Sequence, residues 1–158
     1  MTAGLTHLAG LMPLLSLEED KEIIIVDNAS RDGTTNYLSN HECVVIINKS
    51  NEGFARANNK AALYARGDYL LFLNNDTRIN PGFLKEMVAT FSVDPKIGVV
   101  GCLILELEEK KVQHAGIMFT DEYVPYELGS VVPGITAGIP FNDDRVHAVR
   151  EVPSVTGA

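Results

Sequence analysis

The sequence predicts an α/β protein whose sheet is mostly parallel and flanked by helices. Short runs of β-branched and other apolar residues alternate with segments whose apolar residues recur at helical spacing. This alternation is typical of parallel strands joined by right-handed helical crossovers, which bury both faces of the sheet. The length of 158 residues suits a single domain.

The first part of the chain predicts two strands and two helices. Leucines at helical spacing indicate an amphipathic helix from Leu5 to Leu15. The segment from Glu22 to Asp27 is a short β-branched run bounded by turn formers, which is typical of a strand buried on both faces. A polar loop leads into a short helix over 34–39, and the segment from Cys43 to Ile47 predicts the second strand.

Two more helices and a third strand are predicted in the middle of the chain. A stripe of mostly small residues from Phe54 to Ala65 predicts a helix that Gly67 ends. The apolar run over 68–73 predicts a third buried strand. Asn80 and Pro81 suit the N-cap and first position of a further helix. Its apolar stripe consists of Leu84, Met87, Val88 and Phe91.

The last part of the chain predicts strands separated by a loop region. We expect strands over 97–105 and 112–119, and a short last strand over 146–152. Glycine and proline recur through the segment from Asp121 to Asp144, which predicts loops.

Charge and cysteine content exclude several classes of protein. The formal net charge is −8, so the basic surface that nucleic acid or anionic lipid requires is missing. Cys43 and Cys102 lie in apolar runs and form neither a zinc-type cluster nor a disulfide framework, which favours a reducing compartment. No apolar run reaches the roughly 20 residues of a membrane span. We therefore expect a cytoplasmic protein without a nucleic-acid partner.

Polar side chains follow two of the predicted strands. Asp27 ends one strand, and Asn74, Asn75 and Asp76 follow another. Parallel sheets bind ligands at the carboxyl ends of their strands, so both loops are expected at one crevice. Asp and Asn are also common turn residues, which is the plain structural alternative. Oxygen ligands suit Mg²⁺ or Mn²⁺, and Asp76 is the candidate metal ligand.

Three segments together resemble the nucleotide-binding half of family 2 glycosyltransferases with the GT-A fold. They are EIIIVDNASRDGT, NEGFARANNKAALYARGDYLLFLNNDT and PGFL. The resemblance implies a GT-A, Rossmann-like sheet, with residues 1–95 as the nucleotide-binding half and 96–158 as the start of the acceptor-side half. The segments QHAG at 113–116 and VTGA at 155–158 resemble the bacterial rhamnosyltransferase-like branch, which makes cell-surface polysaccharides.

The resemblance also implies roles for individual residues in binding a nucleotide-sugar. Asp27 would bind the base or ribose, and Asn28 and Ser30 would shape the loop around it. Asp76 would bind the metal and the diphosphate, with Asn74 replacing the first acidic residue of the family's Asp-x-Asp motif. The remaining implied donor-site residues are Asn58, Asn59, Asn75 and His114. Arg56 and His114 also have plain structural interpretations, Arg56 as a solvated charge on a helix face and His114 as a structural or partly exposed residue in a β-type run.

The reaction implied is an inverting, metal-assisted transfer of a sugar from a nucleotide-sugar donor to a saccharide or lipid-linked acceptor. A full-length enzyme of this kind could associate peripherally with a membrane. The family's first strand and its later catalytic carboxylate have no counterpart here, so we expect a partial domain without an assigned catalytic base. The neighbours of that strand would then pair with each other or leave a gap. Two alternatives remain open, a nucleotidyltransferase-like α/β enzyme and a non-catalytic nucleotide-binding module.

Overall fold

A computed structural model describes residues 20–106 and 112–119, together with the short strands Pro125–Glu127, Val131–Val132 and Ile135–Thr136. The chain divides into two compact units, Met1–Glu86 and Met87–Ala158. The helix predicted over 5–15 and the strand predicted over 146–152 lie outside the described residues. No helix within the described ranges has the length and apolar character needed to cross a bilayer.

The first unit is built on a parallel pair of strands. Strand β1 (Ile24–Asp27) pairs with β2 (Val44–Ile47), with Ile24 opposite Val44 and Asp27 opposite Ile47. Helix α1 (Thr34–Leu38) lies between them in the chain. This strand, helix and parallel strand confirm the α/β prediction for this part of the molecule.

The core of the first unit is centred on Leu38, the last residue of α1. Its side chain is fully buried, and Ile23, Ile25, Tyr37 and Val45 pack against it. Burying a leucine completely contributes about 2 kcal/mol relative to leaving it in water. This contact fixes α1 against both strands and thereby fixes the loop that joins β1 to α1.

Helix α2 (Phe54–Ala62) contacts β1. Of its predicted apolar stripe, Ala57 is buried, but Phe54 is 63% exposed. The helix ends at Ala62, earlier than predicted. Beyond it the Glu22 carboxylate accepts hydrogen bonds from the backbone N–H groups of Arg66 and Gly67, which ties this segment to the residues before β1.

The predicted strand over 68–73 is wrong. These residues form no strand, and the side chains of Tyr69, Leu70, Leu71 and Phe72 are each more than 40% exposed. An apolar run becomes a strand only when its backbone groups pair with a neighbour, and β1 and β2 form a sheet of two strands. The run is apolar enough for a buried strand, but its composition does not show whether a neighbouring strand pairs with it.

Helix α3 (Phe83–Phe91) begins later than the predicted N-cap at Asn80. Gly82 adopts a positive φ of 78°, and its carbonyl accepts the N–H of Glu86 at 3.0 Å. The left-handed conformation of Gly82 breaks the helix pattern after Pro81, so the first regular turn starts at Phe83.

The second unit contains antiparallel pairs, which corrects the prediction of a mostly parallel sheet. The pairs are β3 (Ile104–Leu105) with β4 (Val112–His114), β5 (Ile117–Phe119) with β6 (Pro125–Glu127), and β7 (Val131–Val132) with β8 (Ile135–Thr136). The connections are shorter than the crossover of about a dozen or more residues that parallel strands need. Val112 is buried among Leu103, Leu105 and Ala115.

Several predicted boundaries change as a result. The strand predicted over 97–105 is reduced to Ile104–Leu105. The strand predicted over 112–119 is divided between β4 and β5, because the chain turns at Gly116, where φ is 119°. The predicted loop region over 121–144 contains the short strands β6, β7 and β8.

Candidate donor-binding site

The loop after β1 is held together by the side chain of Asp27. Asp27 is only 4% exposed. Its Oδ1 accepts the backbone N–H of Ser30 at 2.9 Å, and its Oδ2 accepts the hydroxyl of Thr35 at 2.7 Å. The carboxylate therefore closes the loop on itself and joins it to α1. The Ser30 side chain also hydrogen-bonds this carboxylate, and since an ionised carboxylate has about four acceptor positions, about one remains for a ligand.

The environment of Asp27 favours its ionised form. Burial raises the pKa of this carboxyl, but hydrogen bonds from Ser30 and Thr35 outweigh the burial and hold the pKa below its ordinary value. Asp32 opposes this effect weakly by charge repulsion. Asp27 is thus a negatively charged hydrogen-bond acceptor at neutral pH, which suits the hydroxyl and N–H donors of a nucleoside.

The same loop contains a strained residue and a second local cap. Ala29 has a φ of 65°, a left-handed conformation that costs an alanine about 1 to 2 kcal/mol. Gly33 adopts φ 86° at the start of α1, where glycine carries no such cost. The carboxylate of Asp32 accepts both the N–H and the hydroxyl of the buried Thr34, at 3.2 and 2.6 Å. Strain of this kind persists only where surrounding contacts impose the conformation.

A second set of polar side chains connects the ends of β1 and β2 to α2. We call it the Asn–Lys network, and it consists of Asn28, Asn48, Glu52 and Lys60. The amide nitrogen of Asn48 donates to Asn28 Oδ1 at 2.8 Å, and Lys60 Nζ donates to Asn48 Oδ1. Lys60 also forms an ion pair with Glu52 at 2.9 Å.

Backbone contacts complete this network. Asn28 Oδ1 accepts the N–H of Glu52 at 3.4 Å, and Asn28 Nδ2 donates to the carbonyl of Gly53 at 3.5 Å. Asn48 is 4% exposed, so its amide is satisfied almost entirely by protein groups. The structure thereby brings the predicted residues Asp27, Asn28 and Ser30 into one ordered loop beside the start of α2.

Sequence reasoning missed Asn48, Glu52 and Lys60. Asn48 directly follows β2, just as Asn28 directly follows β1, so the carboxyl-end rule that selected Asp27 could also have selected Asn48. Lys60 lies three residues after the buried Ala57 on α2, which places a cation beside the sheet-facing side of the helix. No comparable signal in the sequence marks Glu52.

The predicted helix residues Asn58 and Asn59 lie on α2 outside this network. Asn58 donates from its amide to the carbonyl of Phe54 at 3.1 Å, one turn earlier in the same helix. Asn59 is exposed, and so is Arg56. All three positions are accessible to a ligand, and their roles stay predictions.

The predicted metal-binding segment is an exposed turn. Asn74, Asn75 and Asp76 are all exposed, and Thr77 donates its N–H and its hydroxyl to the carbonyl of Asn74, at 3.3 and 2.8 Å. Within the described residues, no cluster of three or more His, Cys, Asp or Glu side chains could hold a metal ion. One carboxylate beside two carboxamides still fits Mg²⁺ or Mn²⁺ chemically, because such ions take much of their coordination from substrate phosphates and water.

His114 belongs to the second unit. It lies on β4 opposite Ile104 and is 3% exposed. Its position in a strand and its burial agree with the structural interpretation, and its predicted role in the donor pocket stays a prediction.

Comparisons with known proteins show the sequence family that the chain resembles. The family model described as glycosyl transferase family 2 matches residues 11–145. The chain is 47% identical over 62 residues to the O-antigen biosynthesis protein RfbC of Myxococcus xanthus, a match that covers 39% of this chain and 5% of that protein. It is 33% identical over 86 residues to the poly-beta-1,6-N-acetyl-D-glucosamine synthase of Staphylococcus aureus, covering 52% of this chain and 21% of that protein.

The matched segments are therefore a small part of both relatives. No solved structure matches this chain. Because the family model covers most of the 158 residues, including both strands of the parallel pair and the three helices of the described ranges, the chain belongs to family 2 of the glycosyltransferases.

Proposed function

We propose that the first unit binds the nucleotide part of a nucleotide-sugar for transfer of the sugar to a saccharide or lipid-linked acceptor. The observation that carries this proposal is the loop after β1, where a buried, ionised Asp27 lies at the carboxyl end of a parallel strand pair. Parallel sheets bind nucleotides at this edge, and a buried carboxylate is suited to the base or ribose. The names of both relatives support a role in the synthesis of cell-surface polysaccharide.

The proposed fold of the whole catalytic domain is GT-A, as the family implies. The strand, helix and strand from β1 to β2, followed by α2, support it. Asn58, Asn59, Asn74 and Asn75 are proposed to contact the donor. Cytoplasmic location and peripheral membrane association of a longer enzyme belong to the same proposal.

The proposed reaction inverts the configuration at the anomeric carbon of the sugar. An acceptor hydroxyl oxygen forms a bond to that carbon while the bond to the diphosphate oxygen breaks, and the bonding electrons leave with the nucleoside diphosphate. The hydroxyl proton passes to a general base. We assign no residue to that role, and the acidic residues Asp143 and Asp144 lie outside the described residues.

Asp76 is the proposed ligand of a divalent cation, Mn²⁺ or Mg²⁺. When bound, such a cation neutralises charge that develops on the departing diphosphate. The chain needs this help, because its net charge of −8 opposes the binding of a diphosphate. The exposed turn over 74–77 is open to phosphate oxygens, and Asn74 and Asn75 add hydrogen-bond donors beside the carboxylate.

Calorimetric titration tests the proposal directly. UDP, dTDP and GDP are titrated into the folded chain with Mn²⁺, and the titrations are repeated with EDTA and with Asp76→Asn. We expect one nucleotide to bind in a metal-dependent manner, and the metal dependence to be lost in Asp76→Asn. A folded sample that binds none of the three would contradict the donor-site assignment. Binding without sugar transfer or donor hydrolysis in a longer chain would favour a non-catalytic module.

A further inference from the structure

The side chain of Lys60 points into the protein's polar network instead of extending into water. Its ammonium group donates to Asn48 Oδ1 and to Glu52 Oε1, the latter at 3.0 Å, and its side chain is 34% exposed. Lysine side chains lose much rotamer freedom when they are held in one geometry. A helix lysine that two partners hold beside the end of β2 therefore needs an explanation beyond solubility.

Lys60 sets the orientation of two successive side-chain amides. An ammonium group can only donate hydrogen bonds, so Asn48 must turn its oxygen toward Lys60 and its nitrogen toward Asn28. Asn28 must then present its oxygen to Asn48, which leaves its own nitrogen to donate to the carbonyl of Gly53. The positive charge on α2 thereby fixes the position of the residue next to Asp27.

We propose that Lys60 is a positioning residue for the nucleotide, acting through Asn48 on Asn28 in the loop after β1. This inference rests on the proposed function of that loop. Replacing Lys60 with methionine leaves Asn48 Oδ1 without its donor in a residue that is 4% exposed, and leaves Glu52 without its cation. The amide of Asn48 is then free to reverse, and a reversed amide no longer donates to Asn28, which keeps only its contacts with the backbone of Glu52 and Gly53.

The test compares three variants of the full chain by nucleotide titration in the presence of Mn²⁺. Lys60→Met removes the donor, Lys60→Arg keeps a cationic donor, and Lys49→Met is the matched control at an exposed lysine beside Asn48. We expect Lys60→Met to weaken nucleotide binding about tenfold, because the nucleotide must then order a loop that the parent chain holds ordered beforehand. Lys60→Arg should recover most of the affinity, and Lys49→Met should match the parent chain.

Side-chain amide resonances provide a readout that general destabilisation would not change. In spectra recorded well below the melting temperature, the Asn28 and Asn48 amide signals should shift or broaden in Lys60→Met and stay in place in Lys49→Met. Equal nucleotide affinity in Lys60→Met and the parent chain would overturn the role of Lys60 while leaving the proposed function intact. A parent chain that binds no nucleotide would instead overturn the proposed function, and this inference with it.

If Lys60→Met does not fold, Glu52→Gln takes its place. This variant keeps the bond from Lys60 to Asn48 but weakens the ion pair that anchors the ammonium group. We expect a smaller loss of affinity than a missing ammonium group would cause, together with a shift of the Asn48 amide signals. Unchanged affinity and unchanged signals would overturn the inference.

Discussion

The two polar loops predicted to hold a donor are built in different ways. In the loop after β1, Asp27 is buried and both of its carboxylate oxygens accept hydrogen bonds from the protein. In the turn over 74–77, Asp76 is exposed, and the hydrogen bonds from Thr77 go to the backbone of Asn74. One loop is shaped by its own acidic residue, whereas the other presents its acidic residue to solvent.

The difference indicates that the two loops have different roles in binding the donor. A loop that is ordered before the ligand arrives loses little conformational entropy on binding and can discriminate between nucleosides. An exposed carboxylate beside amides is better suited to a cation that arrives with the diphosphate. We therefore expect substitutions in the first loop to affect folding as well as binding, and substitutions in the turn to affect binding alone.

Single substitutions of Asp27 and Asp76 with alanine should give the largest difference in stability between the two loops. Asp27→Ala leaves the Thr35 hydroxyl and the Ser30 N–H without their acceptor, so we expect a loss of about 3 kcal/mol in the free energy of unfolding. Asp76→Ala, the matched control, should change it by less than about 0.5 kcal/mol. Urea denaturation of the three proteins measures both effects. Equal stability of the two variants would contradict the comparison.

The next largest difference should be in how the free energy of unfolding depends on pH. Because the pKa of Asp27 is lower in the folded chain than in the unfolded chain, its contribution to stability is fully present above the ordinary aspartate pKa of 3.8. The contribution is lost as the pH falls through the folded pKa. Unfolding free energy should thus decrease more steeply below about pH 4 in the parent chain than in Asp27→Asn.

Glu22 adds an effect of the same sign. Hydrogen bonds from the backbone N–H of Arg66, and less strongly that of Gly67, lower the pKa of this carboxyl. Asp27→Asn should therefore reduce the acid dependence without abolishing it, and denaturation curves between neutral and acid pH measure the remainder. Parallel curves for the parent chain and Asp27→Asn would contradict the role of Asp27.

Removal of a single donor to Asp27 should have a moderate effect. Thr35→Val replaces the hydroxyl with a methyl group of similar size and deletes the bond to Oδ2, so we expect a loss of about 1 kcal/mol. Thermal unfolding monitored by circular dichroism measures the loss. Thr77→Val is the control in the turn, and a loss there as large as in Thr35→Val would remove the distinction between the two loops.

Relief of backbone strain should have the smallest effect. Ala29→Gly removes the strain of a left-handed alanine, which costs about 1 to 2 kcal/mol. The glycine also gives the unfolded chain more conformational entropy, which lowers the free energy of unfolding by about 0.4 to 1 kcal/mol. We expect a net stabilisation of about 0.5 kcal/mol, measured by urea denaturation. A clear destabilisation would mean that the alanine methyl group makes contacts that stabilise the loop.

The sequence was sufficient to predict local features that depend on neighbouring residues. The β-branched run that ends at Asp27, the short helix at Thr34 and the following strand to Ile47 all form within two residues of their predicted limits. Asp27 was also selected correctly as the residue at the carboxyl end of a strand. These features depend on apolar periodicity and turn chemistry, which a sequence shows directly.

Features that depend on distant partners could not be predicted in the same way. The run from Tyr69 to Phe72 has the composition of a buried strand, but the pattern does not show whether a neighbouring strand pairs with it. Lys60 meets Asn48 only because α2 packs beside the end of β2, across a separation of 12 residues. The orientation of two amides by one ammonium group follows from that packing and not from residue spacing.

The most direct test of the account is the metal dependence of nucleotide binding in the two aspartate variants. The nucleotide that binds the parent chain is titrated into Asp27→Asn and Asp76→Asn, each with Mn²⁺ and with EDTA, at a temperature where both are folded. We predict that Asp76→Asn loses only the increase in affinity that Mn²⁺ provides, while Asp27→Asn binds more weakly under both conditions. Two results would contradict this distinction between an ordered loop and an exposed metal-binding turn. One is an equal loss of nucleotide affinity in the two variants, and the other is an increase in affinity with Mn²⁺ that persists in Asp76→Asn.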